Sequence, residues 1–247
     1  MKGILICGGT GSRLRPLTEK THKSLLPIAG KPMIFYPLQI LLKAGVEEIM
    51  LITGPEHSGS FMQYLGSGTK FGCSFTYRIQ DEPKGIAQAL GMAKAFAGEE
   101  PICALLGDNI FEENLSKHIH AFAGKGGHLF LKEVEDPERF GVATIDETKN
   151  QKLKTSNSAR VLSLEEKPKE PKSNLAVTGC YLYDARCFDI IRSLQPSARG
   201  ELEITDVSKQ YLVWGELTAT VLAGEWVDAG THESLRRAER LVSMQRV

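Results

Sequence analysis

The first hundred residues alternate between two hydrophobic rhythms. Residues 3–7 (Gly-Ile-Leu-Ile-Cys), 48–53 and 101–106 are short, unbroken apolar runs closed by glycine, proline or aspartate. Runs of this length suit strands buried on both faces. Residues 74–80 alternate apolar and polar positions, as a half-exposed strand does. Helical spacing fills the gaps: 34–42, stopped by Gly45; 57–66, stopped by Gly66; and 85 to about 96. Pro37 falls near the first turn of the first helix or kinks it. Strand and helix alternating through short connections predict a parallel sheet covered on both faces.

The second half is richer in strands. Residues 128–131, 141–145, 160–164 and 176–182 read as strands, and the polar stretch 150–158 as an exposed hairpin tip. Residues 184–194 and 203–214 read as helices, and an amphipathic helix runs from about Thr231 to the terminus. No internal repeat or low-complexity linker divides the chain, so residues 1–247 are expected to form a single domain whose second half caps the sheet edge.

Composition excludes several classes. The chain's 247 residues suffice for a sizeable core. Thirty basic residues balance thirty acidic ones, leaving no electrostatic footprint for nucleic acid or a membrane surface. The five cysteines (Cys7, Cys73, Cys103, Cys180, Cys187) are odd in number, lack Cys-x-x-Cys spacing and sit mostly in apolar runs. Buried free thiols in a reducing compartment follow. With no signal-peptide pattern and no apolar stretch of membrane-spanning length, the expected location is the cytoplasm.

The stretch that concentrates chemistry is Gly8-Gly9-Thr10-Gly11-Ser12-Arg13-Leu14, directly after the first apolar run and ten residues ahead of Lys23. Glycines admit dihedrals closed to other residues and let the backbone approach a ligand. Peptide N–H groups on such a turn converge on an anion, and nearby cations take up the remaining charge. The pattern therefore reads as a polyphosphate cradle. A dinucleotide fingerprint needs a third glycine opening a helix; Leu14 stands there, Pro16 follows, and no helix is expected. A Walker loop needs Gly-Lys-Ser or Gly-Lys-Thr, and neither occurs.

Ligands of parallel sheets sit beyond the carboxyl ends of the strands, which gathers the glycine turn, Gln80 and Asp108 on one rim. Asp108 and Asp228 each follow an apolar run and adjoin a small residue. Each suits either a turn or a hard oxygen ligand; as a pair beside a phosphate cradle they favour magnesium, which binds through one or two carboxylates plus substrate phosphates. Gln80 suits a base edge or plain solvation. Lys167, in Glu165-Glu166-Lys167-Pro168, suits a surface ion pair or a phosphate. The six histidines show no zinc-ligand spacing, His118 and His120 facing different sides of a helix, and no Gly-x-Ser-x-Gly nucleophile elbow occurs.

Taken jointly, the glycine turn, His22-Lys23-Ser24-Leu25-Leu26-Pro27, Leu106-Gly107-Asp108-Asn109, Pro137-Glu138-Arg139-Phe140-Gly141-Val142, Glu165-Glu166-Lys167-Pro168, Val177-Thr178-Gly179, Gly200-Glu201-Leu202-Glu203-Ile204-Thr205-Asp206 and Trp226-Val227-Asp228-Ala229-Gly230-Thr231 resemble the sugar-nucleotide pyrophosphorylases. The resemblance covers nearly the whole chain. It implies an α/β, Rossmann-like fold of the nucleotide-diphospho-sugar transferase type: a mixed, mostly parallel sheet flanked by helices, with a strand-rich sugar-binding elaboration. A nucleotide-binding half of about 1–110 and a sugar-binding half of about 111–247 follow. The implied reaction joins dTTP and glucose 1-phosphate to dTDP-glucose and pyrophosphate, with UTP or another sugar 1-phosphate as the alternative, Mg2+ as cofactor, and a dimeric or tetrameric homo-oligomer.

By the same resemblance Arg13 and Lys23 would hold the triphosphate, with Gly8, Gly9, Gly11 and Ser12 around it. Gln80 and Gly85 would recognise a pyrimidine, and Asp108 and Asp228 would hold magnesium. Asn109, Gly141, Glu166 and Val177 would bind the sugar, and Lys167 its phosphate. A catalytically silent nucleotide-sugar-binding relative would have lost Arg13, Lys23, Asp108 or Asp228; all four are present. Cys7 and Ser12 replace an alanine and a threonine common in that family. Phe140 stands where many members have tyrosine, which removes a hydroxyl from the sugar site. Longer members carry a further helical segment, part of a regulatory site, beyond the helix that follows Asp228.

Overall fold

A computed structural model describes residues 1–146 and 158–244. All of the expected hairpin tip at 150–158 except Ser158 lies outside the described residues. The chain runs β1 (Lys2–Cys7), β2 (Pro27–Ile28), β3 (Lys31–Pro32), α1 (Phe35–Lys43), β4 (Glu48–Thr53), α2 (Ser58–Leu65) and β5 (Ser74–Ile79). Then follow α3 (Ile86–Gly91), α4 (Lys94–Ala97), β6 (Ile102–Leu106), β7 (Asn109–Phe111), α5 (Ser116–Ala121) and β8 (Gly127–Glu133). The remainder is β9 (Gly141–Ile145), β10 (Ala159–Glu166), β11 (Leu175–Tyr183), α6 (Cys187–Ser193), α7 (Ile204–Val213), β12 (Leu217–Val221), β13 (Trp226–Asp228) and α8 (His232–Met244).

Among the described residues the main sheet has nine strands in the order β5-β4-β1-β6-β11-β8-β12-β10-β9. The first four are mutually parallel, each joined to the next through helical crossovers. The sheet is mixed because β11 enters antiparallel to both β6 and β8, and β10 antiparallel to both β12 and β9. Parallel pairing in this half is confined to β8 with β12. Much of this half lacks the intervening crossover helices that parallel pairing needs. The far edge also curls back, so that β9 meets β11 again at Val142 opposite Ala176.

The unbroken apolar run of β1 has a plain cause. Ile4 and Ile6 face a core with α3, α4, α6 and α7, while Leu5 and Cys7 face a second core with α1, α2 and α5. At the other extreme β5 is the edge strand, and its residues alternate between exposed and half-buried as their sequence does. The expected helix from 85 to about 96 is two short ones, α3 and α4. All five thiols are free, and only Cys73 is not fully buried. No described helix is long and apolar enough to cross a membrane.

A third apolar cluster joins the glycine turn to the end of the chain. Leu14, Ile28, Met33, Ile110 and Val227 pack there against Ala238, Leu241 and Val242 of α8. Leu14 is fully buried, which is worth roughly 2 kcal/mol and anchors the turn. One turn of 3-10 helix spans Ser12–Leu14, where the sequence suggested none, but it is too short to form a dinucleotide-type helix N-terminus.

β2 and β3 form a hairpin whose two-residue loop puts Ala29 (φ 47°) and Gly30 (φ 80°) in the left-handed region. Such loops favour Asn-Gly, because a Cβ at positive φ costs about 1–2 kcal/mol. Ala29→Asn is expected to stabilise the protein by about 0.5–1 kcal/mol, seen as a higher urea midpoint at unchanged slope.

Candidate active site

β1 and β6 are parallel neighbours, so the turns that leave them lie side by side. Gly107, which continues β6, has no room for a side chain: a Cβ there would stand 2.4 Å from Cys7 Sγ and 2.9 Å from Ser24 Oγ. Asp108 follows and is 7% exposed. The second aspartate arrives on β13, which pairs antiparallel with β7 so that Asp228 lies opposite Asn109. The Ala229 N–H donates to Asp108 O at 2.9 Å and closes the register. Residues 120 positions apart in the chain are thereby locked together by backbone hydrogen bonds.

Lys23 sits on a 3-10 turn, Lys23–Leu25, capped by His22 Nδ1, which accepts from Ser24 N at 3.1 Å. Its Nζ donates to Asp108 Oδ2 at 2.5 Å. Burial pushes the Asp108 carboxyl up, but the charge and hydrogen bond of Lys23 and the bond from Asn109 outweigh it and hold the group below the usual aspartate range. Asp228 Oδ1 accepts from Gly230 N at 3.0 Å, but among the described residues no cationic side chain is bonded to this carboxylate. Burial and then the Asp108 charge push it up to about 6, against the pull of Lys23, Arg13 and Arg139. Arg13 is nonetheless close: a Cβ on Gly230 would stand 3.0 Å from Arg13 Nη2 and 2.9 Å from Asp228 Oδ1.

These groups line one cleft of about 250 Å³ together with Gly8, Gly9, Gln80, Gly85 and Glu201. Gly11 faces Thr18, whose hydroxyl donates to Gly11 O at 2.7 Å, and Ser12 is exposed at the start of its turn. Gln80 is 5% exposed and donates through Nε2 to Gln88 Oε1 at 2.5 Å and to Gly85 O at 3.4 Å. Gly85 (φ 103°) must be glycine twice over, since a Cβ would also lie 2.4 Å from Leu202 O. That contact brings the 201–205 segment of the second half onto the cleft.

The other predicted positions gather a short way off. A Cβ on Gly141 would be 3.0 Å from Thr205 Oγ1, 3.5 Å from Glu166 Oε2 and 3.6 Å from Val177 Cγ2. Glu166 is held from both sides, Thr205 Oγ1 donating to Oε2 and Arg199 Nη2 to Oε1 at 3.1 Å. Lys167 follows at φ 44°, half-exposed, with Nζ 3.8 Å from Glu166 Oε1. Burial holds the Tyr181 phenol well above its usual range, with smaller contributions from the charges of Glu166 and Asp228. Asn109 is placed differently from a surface sugar ligand. It is 1% exposed, its Nδ2 donates to Asp108 Oδ1, and its Oδ1 accepts from Gly179 N and Trp226 Nε1. Thr205, Arg199, Glu201 and Gln88 drew no role from the sequence. Thr205 and Arg199 meet Glu166 across 39 and 33 positions, separations that no local pattern marks.

The two carboxylates fit a divalent cation. They are hard oxygen donors on one cleft, the Asp108 charge holds the Asp228 carboxyl up, and two carboxylates with substrate oxygens make a magnesium-type donor set. Among the described residues no group of three or more His, Cys, Asp or Glu forms a cage that would hold a metal by itself.

The chain is similar to known proteins over nearly its whole length. The family model for nucleotidyl transferases matches residues 2–245. Glucose-1-phosphate thymidylyltransferase of Neisseria meningitidis is 44% identical over 98% of this chain and 82% of its own length. The enzyme of that name from Mycolicibacterium smegmatis is 42% identical, again over 98% and 82%. A solved Bacillus anthracis protein with sucrose bound superposes with a TM-score of 0.89 at 49% identity, covering 98% of this chain and 94% of that one. A UDP-glucose pyrophosphorylase at 24% identity shares the fold, with a TM-score of 0.87 over 99% and 98%.

Because Asp228 is raised from 3.8 to about 6, the metal-free folded state binds its proton more tightly than the unfolded chain does. Its contribution to stability therefore declines as pH rises between those two values, by on the order of 2–3 kcal/mol in all. Asp228→Asn is expected to remove that slope and to leave the metal-free protein more stable near about pH 7.5. Urea titrations in EDTA at several pH values would show it, and a variant less stable than the parent would contradict it.

Proposed function

The chain belongs to the nucleotidyl transferase family, and on that premise we propose that it joins dTTP to glucose 1-phosphate, giving dTDP-glucose and pyrophosphate. The observation that carries the reading is the register of β7 on β13, which sets Asp228 beside Asp108 opposite the glycine turn, Lys23 and Arg13. The names of the relatives supply the substrates.

In this reading residues 1–110 hold the nucleotide and the later residues the sugar. The Gly8–Ser12 backbone, Arg13 and Lys23 embrace the triphosphate, and Gln80 and Gly85 face the base. Asn109, Gly141, Glu166 and Val177 bind the sugar, and Lys167 its phosphate. Asp108 and Asp228 would hold Mg2+, which supplies charge neutralisation to phosphoryl oxygens when bound. The protein would work in the cytoplasm as a homo-oligomer.

The chemistry needs no general base. A sugar phosphate has a second pKa of roughly 6 and is largely dianionic near neutral pH. Its oxygen attacks the α-phosphorus in line, and pyrophosphate departs with the electron pair. The barrier is mostly the meeting of anions, so positioning and fixed positive charge supply the rate. Lys23, held by Asp108, and Arg13, beside Gly230, require little reorganisation to receive the leaving group. Lys167 holds the attacking phosphate from a left-handed backbone that costs about 1 kcal/mol or more, a strain typical of functional positions.

A panel of nucleoside triphosphates against sugar 1-phosphates, read by pyrophosphate release, should show dTTP with glucose 1-phosphate among the best pairs. Asp108→Asn should lower kcat by roughly 100-fold or more while the circular dichroism spectrum is retained. Turnover near the parent's in that variant would overturn the metal assignment.

A further inference from the structure

We infer that Gln88, which stands outside the cleft wall, helps set which pyrimidines the cleft accepts by holding the Gln80 amide in the polarity that the Gly85 carbonyl selects. The inference rests on the reading of the cleft as a pyrimidine nucleotide site and deepens it. A glutamine amide can present either a donor or an acceptor to a ligand, and the two ends have nearly the same shape. The surroundings of Gln80 choose one. The Gly85 carbonyl can only accept, so the group facing it at 3.4 Å is the NH2. Gln88 Oε1 accepts a second bond from the same nitrogen. Both hydrogens are thereby engaged on the α3 side.

Oε1 is left turned the other way, toward Gly8, where a Cβ would approach it to 3.0 Å. Gly8, Gln80 and Gly85 all line the cleft, so the cleft is offered an acceptor. Thymine and uracil carry a ring N3–H donor flanked by carbonyls, whereas cytosine carries a bare N3 acceptor in that place. An amide held with its oxygen inward pairs with the first edge and opposes the second. The reversed amide would do the opposite. With Gln80 only 5% exposed, water cannot readily repair a mismatch, and unpaired buried polar groups discriminate strongly. Gln88 is thus a positioning residue: it acts on the base through Gln80.

The test compares kcat/KM for dTTP and dCTP, with glucose 1-phosphate, in the parent enzyme, Gln88→Leu and Gln88→Glu. Leucine removes one of the two acceptors and leaves only the 3.4 Å bond to Gly85 O to hold the Gln80 amide, so the dTTP-to-dCTP ratio should fall roughly 10-fold or more. Glutamate still accepts from Nε2 and should hold the ratio within about 3-fold of the parent. A general loosening of α3 would lower both rates together and leave the ratio alone. If Gln88→Leu does not fold, Gln88→Ala makes the same comparison. An unchanged ratio in the leucine or alanine variant, or equal damage from glutamate and leucine, overturns the inference alone. A folded parent enzyme inactive with dTTP and UTP overturns the reading of the cleft and the inference with it.

Discussion

Two carboxylates and a lysine, Asp108, Asp228 and Lys23, share one enclosed cleft, and much of the architecture serves to hold them there. Left to electrostatics, the second carboxylate would move away, since burying an unpaired charge is costly. Backbone pairing prevents it. Asp228 is the last residue of a strand registered on Asn109, and the Ala229 N–H is bonded to Asp108 O. Trp226 Nε1 bonds to Asn109 Oδ1, tying the same two strands through buried side chains. The result is a cleft with surplus negative charge before any ligand arrives. Such surplus is a liability in the empty protein and an attraction for a divalent cation.

Close approach of backbones is the second recurring device. Gly107 lets the end of β6 lie against Cys7 and Ser24 under the cleft, and Gly179 lets β11 pass over the Asn109 amide, where a Cβ would come within 2.5 Å. Both sites join segments far apart in the chain. The curl that returns β9 to β11 belongs to the same logic. It folds the antiparallel half over, so that Gly141, Glu166 and Val177, each on a different strand, meet beside Thr205 of α7. The parallel half carries the glycine turn, Lys23 and Asp108 on its turns, and the antiparallel half carries Gly141, Glu166 and Val177 on strands.

Much of this was legible in the letters. The glycine turn, Gln80 and Asp108 follow strands, the first and last of them unbroken apolar runs that announce burial on both faces, and the rule that ligands sit at carboxyl ends groups them without a structure. Leu14, by excluding a dinucleotide fingerprint, also carried correct information, for it turns out to be a buried anchor. Less was legible in the second half. β12 drew no reading although it is as long as β9, and the three-residue strands β7 and β13 are too brief for periodicity to mark, yet β7 and β13 decide the site.

By itself, then, the sequence determined the alternation of elements, the mixed α/β class and the identity of the groups able to handle phosphate, because those are local properties of spacing and residue type. Only the tertiary structure decided that Asp108 takes Lys23 while Asp228 goes without, that Asn109 is buried and already bonded, and that Gln80 turns its oxygen toward the glycine turn. Each of those outcomes depends on strand register and on exclusion of water by residues up to 120 positions away. A hydrogen-bonding group does not carry its partner in its name; the fold assigns it.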